Sequence, residues 1–428
     1  MTAVHQDAKL RVRTFTLNNR KEIISKIVRE VLVLFKVETV GRQGETDYLQ
    51  LSVINHRLPD TEDGRVAIES KIMLFDLAGR ATSFVRRSTG ALDEREGAAV
   101  NRLIKLNLYH IFCEELDMPQ APWGILHGVR PTKIVHRWIR GGMGEEDIIE
   151  RLQSDYACSE AKARVIVPMA FRQLPFLAQS DEKTVSVYVG IPFCLTRCLY
   201  CSFPSNILPG RKRIAEFMTV LEKDLLAAKE AIDHYGFRVQ NIYVGGGTPS
   251  MLEAGDVSRI LKTLRQTFCI ASDAEITIEA NPDSLDYDKA AALADCGVNR
   301  LSLGVQSFSD AMLAFLGRVH TAAQGEAAIQ AAYAAGIHNL SMDLMYGLPG
   351  QHLADVRRDV ERLSQLPVVH ASIYSLIVED GTQLKAGLEK GTWHLPPDGE
   401  GRPRCHARLW LPSLRDFQLC QRAFRVAP

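Results

Sequence analysis

Long apolar runs are missing from this 428-residue chain, which leaves no segment suited to crossing a bilayer as a helix. The most apolar early stretch, residues 22–40, is broken by Lys26, Arg29, Glu30 and Lys36. Residues 1–9 carry no apolar signal segment. An excess of one charge is missing too. The 51 basic and 51 acidic side chains cancel, which excludes a global pull toward nucleic acid or anionic membrane. There is no low-complexity tract or short-period repeat. A disulfide framework is also absent: the nine cysteines, at 113, 158, 194, 198, 201, 269, 296, 405 and 420, are odd in number and scattered outside one trio. That usage fits a reducing compartment, so the expectation is a cytoplasmic protein.

What remains is ordinary globular composition, 46% hydrophobic and 24% charged. The length predicts two or three domains. Residues 1–180 read as a separate, smaller α/β domain. It has a strand near 10–17, an amphipathic helix over 21–37, β-rich runs at 67–77 and 80–86 joined at Ala78-Gly79, and a helix over 93–115. A polar, mostly helical segment then reaches residue 171, and Leu174-Pro175 with Asp181-Glu182-Lys183 marks the boundary. Over 181–398 strands alternate with helices. Strands are expected at 185–189, 239–244, 274–279, 300–303, 340–345 and 371–376, and helices at 214–235, 256–267, 287–296, 324–335 and 351–366. Six β–α units in succession imply an α/β fold with a parallel sheet closed or partly closed into a barrel. Residues 399–428, with six arginines, no lysine and two isolated cysteines, continue neither pattern.

The trio Cys194-Leu-Thr-Arg-Cys198-Leu-Tyr-Cys201 is the most informative feature. A [4Fe–4S] cluster usually takes four thiolates; held by three, it keeps one iron open to bind a small molecule. Structural zinc is the competing reading, but it needs four closed ligands, and no cysteine or histidine follows within thirty residues. Three unrelated thiols are the bland alternative.

The other unusual polar groups fall at carboxyl ends of expected strands, where barrels place their chemistry. Gly245-Gly246-Gly247-Thr248-Pro249-Ser250 removes three Cβ atoms in a row, so a ligand can approach the backbone, or the chain simply turns there. No Gly-Lys-Ser/Thr follows, which excludes a phosphate-binding Walker loop. Glu279, ahead of Asn281-Pro282-Asp283, can accept paired hydrogen bonds from ribose hydroxyls or cap a helix. Gln306 and Ser307 end the fourth strand. Arg318 can clamp a carboxylate or sit on the surface. Asp343 lies in an apolar run, costly unless paired or functional. The sixth strand carries His370, Ser372, Tyr374 and Ile377. In the first domain Arg130, Lys133, His136 and Arg137 form a basic cluster that suits propionates, RNA or a solvated helix face.

Five segments together resemble the radical S-adenosylmethionine (SAM) enzymes, specifically the oxygen-independent coproporphyrinogen III oxidase (dehydrogenase) family. They are Val187-Tyr-Val-Gly-Ile-Pro-Phe-Cys194, the glycine run, Glu279-Ala-Asn-Pro-Asp283, Gly304-Val-Gln-Ser-Phe308 and residues 343–350. Trp123-Gly-Ile-Leu-His-Gly-Val-Arg-Pro-Thr-Lys133 is similar to the amino-terminal domain of the HemZ subgroup. The resemblance implies a partial (β/α)6 TIM-like barrel. It also implies a [4Fe–4S] cluster on Cys194, Cys198 and Cys201, with S-adenosylmethionine chelating the open iron. Tyr188 and Tyr200 would flank cluster and cofactor, Gly246, Gly247 and Thr248 would bind the methionine amine, Glu279 the ribose, and Ile377 would lie along the adenine. Gln306, Arg318 and Asp343 match positions linked to a second cofactor molecule. The implied reaction is reductive cleavage of the cofactor, hydrogen abstraction from a porphyrinogen propionate, and loss of carbon dioxide to leave a vinyl group. An electron donor of the flavodoxin or ferredoxin type would be a partner.

The chain departs from that pattern. Phe203 stands where the best-characterised oxidases carry a further cysteine, and Gly190 where they carry histidine. The related heme-chaperone branch shares the missing cysteine but keeps the histidine. Residues 399–428 do not resemble the family's carboxy-terminal region, and a truncation or reading-frame change is expected there. The sequence thus predicts an oxidative decarboxylase, with a heme-binding chaperone or an inactive homologue as alternatives.

Overall fold

The computed structural model describes residues 11–16, 21–35, 37–39, 49–75, 80–91, 95–126, 131–178 and 183–396. The Ala78-Gly79 joint, Arg130 and the 399–428 tail lie outside the described residues. The chain divides into two compact units, Met1–Gln179 and Ser180–Pro428. Among the described residues no helix is long and apolar enough to cross a membrane.

The first unit opens with β1 (Arg11–Thr16), α1 (Lys21–Leu34) and β2 (Glu38–Thr39), followed by β3 (Leu49–Leu58), β4 (Val66–Phe75) and β5 (Ala81–Gly90). These strands form one sheet in the order β2-β1-β3-β4-β5, parallel around β1 and antiparallel from β3 to β5. Helix α2 (Glu96–His110) is fastened to the sheet by Asn107, whose amide donates to Ile68 O and Ser70 Oγ, each at 3.1 Å. A five-residue π turn, Ile111–Glu115, ends it, so the expected 93–115 helix is two pieces. Helices α3 (Pro131–Arg140), α4 (Glu145–Tyr156) and α5 (Glu160–Ala178) complete the unit. Helix α5 includes Pro168 and Pro175, so Leu174-Pro175 lies inside a helix, while the division between the units falls between Gln179 and Ser180, beside the expected 180/181 boundary. Each proline forfeits one backbone bond. The buried face Ala163, Ile166, Val167 and Ala170, with a 2.8 Å contact between Gln173 and His136, offsets that loss.

The second unit contains β6 (Thr184–Ile191), β7 (Phe193–Cys194), β8 (Asn206–Ile207), α6 (Arg211–His234), β9 (Arg238–Gly246), α7 (Ala254–Thr267), β10 (Ile270–Ala280), α8 (Tyr287–Asp295) and β11 (Arg300–Gln306). It continues through α9 (Asp310–Leu316), α10 (Ala322–Ala334), β12 (Asn339–Tyr346), α11 (Leu353–Leu363), β13 (His370–Ser375) and α12 (Gln383–Glu389). All six long strands are parallel, ordered β6-β9-β10-β11-β12-β13. No pairing joins β13 back to β6 among the described residues, so the sheet is a partial (β/α)6 barrel. Val189, Val244, Ile278, Leu301, Leu303, Leu340 and Met342, all nearly inaccessible, form its core with the apolar faces of the helices. In α7 that face is Val257, Ile260, Leu261 and Leu264, the spacing of a half-buried helix. Parallel strands covered on both faces tend to read as apolar runs; β12 is buried everywhere but at Asn339 and Asp343, whereas β6 and β13 carry exposed residues along their length.

Candidate active site

The cysteine loop leaves β6 and is fixed at four points. Strand β7 pairs with β8, opposing Cys194 to Ile207, and Leu208 N donates to Cys194 O at 2.9 Å. Cys201 N donates to Cys198 O at 3.2 Å. Between them, Leu199 N donates to Leu316 O of α9 at 3.1 Å, and Leu384 N of α12 donates to Leu199 O at 2.9 Å. All three cysteines are free, half-buried and line one cavity. Burial pushes the Cys198 thiol up, while the neighbouring Arg318 guanidinium opposes the shift. Among the described residues no three His, Cys, Asp or Glu side chains converge as they would on a single metal ion.

The glycine run lies against this loop. Gly247 N donates to Ile191 O at 2.8 Å and Thr248 N to Phe193 O at 2.7 Å. A Cβ on Gly247 would stand 2.4 Å from Phe193 O and 2.9 Å from Cys194 Sγ, so only glycine fits. Gly246 has φ +118°, again outside the range of ordinary residues. Its N–H donates to Glu279 Oε2 at 3.0 Å, while Tyr243 OH donates to Oε1 at 2.8 Å. Glu279 thus anchors the glycine edge, and each of its oxygens keeps a second lone pair. Burial raises the Glu279 pKa despite those two donors.

Across the cavity, Arg318 donates from Nη1 to Asn281 Oδ1 at 2.9 Å and from Nη2 to Tyr200 OH at 3.3 Å. Gln306, buried at the end of β11, has φ +75° and accepts from Tyr374 OH at 2.8 Å. Burial pushes the Tyr374 phenol up to about 12. A non-glycine residue in that conformation needs support from its surroundings. Asp359 of α11 supplies it, accepting from Ser307 Oγ at 2.7 Å and Phe308 N at 3.0 Å. Burial raises the Asp343 pKa against a hydrogen bond from Ser372.

Cys194, Cys198, Cys201, Tyr200, Gly246, Gly247, Thr248, Glu279, Gln306, Arg318 and Asp343 therefore meet on one cavity. Tyr188 and Ile377 do not line it. Tyr188 is 62% exposed and stacks on Tyr243, and Ile377 is 67% exposed. Tyr243, Asn281, Tyr374 and Asp359 were given no role by sequence reasoning. Asn281 lies inside the Glu279-Ala-Asn-Pro-Asp283 motif, but its side-chain partners Thr248 and Arg318 come from other segments, and Asp359 carries no local sequence signal. The donor set fits a cluster with one thiolate per iron, beside a backbone edge cleared of Cβ atoms.

Residues 188–363 match the radical SAM superfamily model. The HemZ oxygen-independent coproporphyrinogen-III oxidase-like protein of Bacillus subtilis is 30% identical over 274 residues, 63% of this chain and 54% of that protein. Heme chaperone HemW of Mycobacterium tuberculosis (H37Rv) is 38% identical over 238 residues, covering 54% and 60%. The solved coproporphyrinogen III oxidase HemN of Escherichia coli aligns at 26% identity and a TM-score of 0.48, covering 60% of this chain and 56% of that one. The chain spans about half the length of the curated relatives it matches. Residues 188–363 are thus a radical SAM domain, of a superfamily that uses a [4Fe–4S] cluster and S-adenosylmethionine, and the chain is similar in sequence to proteins named HemZ and HemW.

Proposed function

We propose that this chain is a heme-handling radical SAM protein of the chaperone type, working in the cytoplasm, with the first unit as an accessory domain. Cys194, Cys198 and Cys201 hold the cluster; Gly246, Gly247 and Thr248 receive the methionyl end of the cofactor, and Glu279 its ribose. Tyr200 closes the cluster side, while Tyr188 and Ile377 contribute from outside the cavity lining. When bound, the cluster supplies the electron that cleaves the cofactor's sulfonium, and a flavodoxin or ferredoxin type donor replenishes it. Gln306, Arg318 and Asp343 face the remaining space and bind either a second cofactor molecule or a ligand carboxylate. Arg318 suits a carboxylate because its fork donates in fixed directions.

Phe203 carries the choice of a chaperone. It lines the cavity two residues beyond Cys201 at 66% exposure, where the resemblance puts a further cysteine in the oxidases. With Leu195 and Val319, 44% and 51% exposed on the same cavity, it offers an apolar rim to a flat macrocycle. Relatives named heme chaperone align at 34–38% identity. The second reading, decarboxylation of coproporphyrinogen III propionates, is supported by the HemZ-like relative, which aligns over 274 residues.

The test is an anaerobic titration of the reconstituted protein with heme, run beside turnover with coproporphyrinogen, S-adenosylmethionine and a reductant. Stoichiometric heme binding without vinyl product supports the chaperone. Vinyl product formed with cofactor consumption replaces it with the second reading, and neither result would sink both.

A further inference from the structure

Asn281 has a hydrogen-bonding direction imposed on it from one side, and the consequence reaches a cysteine sulfur. Arginine can only donate. Arg318 Nη1 stands 2.9 Å from the Asn281 side chain, so the amide must turn its oxygen to Arg318. The amide nitrogen then faces Thr248 Oγ1, to which it donates at 3.1 Å. With one lone pair taken by that donor, the Thr248 hydroxyl proton is directed to its other neighbour, Cys194 Sγ at 3.7 Å. The three side chains come from the glycine run, the end of β10 and the loop after α9, and all line the same cavity. A fixed cation at the head of the chain polarises each bond in the same sense.

We infer that Asn281 is a positioning residue that holds Thr248 as a hydrogen-bond donor to the Cys194 thiolate and thereby raises the reduction potential of the cluster. The inference rests on Cys194 being a cluster ligand, as proposed above. A donor to a ligating sulfur stabilises the more negative, reduced state, and hydrogen bonds to the sulfurs are among the protein's levers on cluster potential. In the chain's own terms, Arg318 sets the amide, the amide sets the hydroxyl, and the hydroxyl acts on the sulfur.

The experiment is a redox titration of the reconstituted cluster, followed by its paramagnetic signal, in the wild type, Asn281→Ala, Thr248→Val and the double variant. Each single change is expected to lower the reduction equilibrium constant about three- to tenfold, a shift of about 30–59 mV to more negative potential. The double variant is expected to match Thr248→Val alone, because Asn281 acts only through that hydroxyl. A merely structural role would not produce this non-additivity in a potential. Asn281→Asp guards against failure to fold: it still accepts from Arg318 but takes the Thr248 proton for itself, so the same negative shift is expected. An unchanged potential in loaded Asn281→Ala, an additive double variant, or failure of both Asn281 variants to take up cluster overturns the inference. If the wild type itself takes up no cluster, the assignment of Cys194 falls instead.

Discussion

One methyl group, placed at either of two glycines eight residues apart, should move stability in opposite directions. At Gly247 a Cβ would meet Phe193 O at 2.4 Å, below the 3.0 Å that real Cβ contacts essentially never cross, and Cys194 Sγ at 2.9 Å. The first obstacle is backbone and cannot swing aside, so β7 must move. Overpacking of this kind costs about 1–3 kcal/mol, or roughly a 3–10 °C lower melting temperature for a unit of this size. At Gly255, within α7, nothing lies within 4 Å of the added carbon. Alanine there removes glycine's entropy cost and should add up to about 1 kcal/mol. Because the Gly247 displacement is transmitted to Cys194, the same strain on ligand binding should weaken S-adenosylmethionine about 5- to 150-fold. Gly255→Ala should leave binding untouched. Thermal melting of both variants beside the wild type, with cofactor titration of each reconstituted protein, makes the comparison. Equal melting shifts, or undisturbed binding in Gly247→Ala, would refute the close packing of the glycine run on the cysteine loop.

Other sites give independent checks. His320 is 3% exposed, and its pKa is lowered from 6.5, first by burial and then by Arg318. The unfolded chain therefore takes up the proton before the folded one, so stability is complete above about pH 6.5 and declines as pH falls below it. His320→Gln should flatten that decline in melts from about pH 7.5 to about pH 5.5, a range where imidazole titrates; parallel curves would contradict the sign. Asp359→Ala strands the Ser307 hydroxyl and Phe308 N–H and should cost about 1–3 kcal/mol in urea denaturation, whereas a loss below about 0.5 kcal/mol would mean that Gln306 holds its conformation unaided. Pro175→Ala restores a backbone donor inside α5 and should stabilise the first unit by about 1–3 kcal/mol; a loss of stability would show that the helix is built around the ring.

The six long strands are legible from apolar residues at alternate or successive positions, as in Leu340, Met342 and Leu344 of β12 or Val185, Val187 and Val189 of β6. Strand β3 was missed: Leu51 and Val53 point inward, but the next inward position is Asn55, buried and polar, and His56 and Arg57 follow. Proline is a local signal for a break, yet packing of Ala163, Val167 and Ala170 carries α5 through Leu174-Pro175, and the division between the units falls between Gln179 and Ser180. In the site, the cysteine trio and the glycine run were readable since their spacing is local. The contacts among Arg318, Asn281 and Thr248 were not, because only the sheet brings those three segments together. Tyr188 and Ile377, placed through resemblance alone, lie outside the cavity lining.

The most direct measurement is an iron and sulfide count on anaerobically reconstituted protein, with electron paramagnetic resonance of the reduced sample before and after S-adenosylmethionine is added. Three thiolates that leave one iron free should give about four irons per chain and a signal that changes on addition, and Cys194→Ser, Cys198→Ser and Cys201→Ser should each lose it. Bound zinc, no cluster, or a cluster whose signal ignores S-adenosylmethionine would contradict the account.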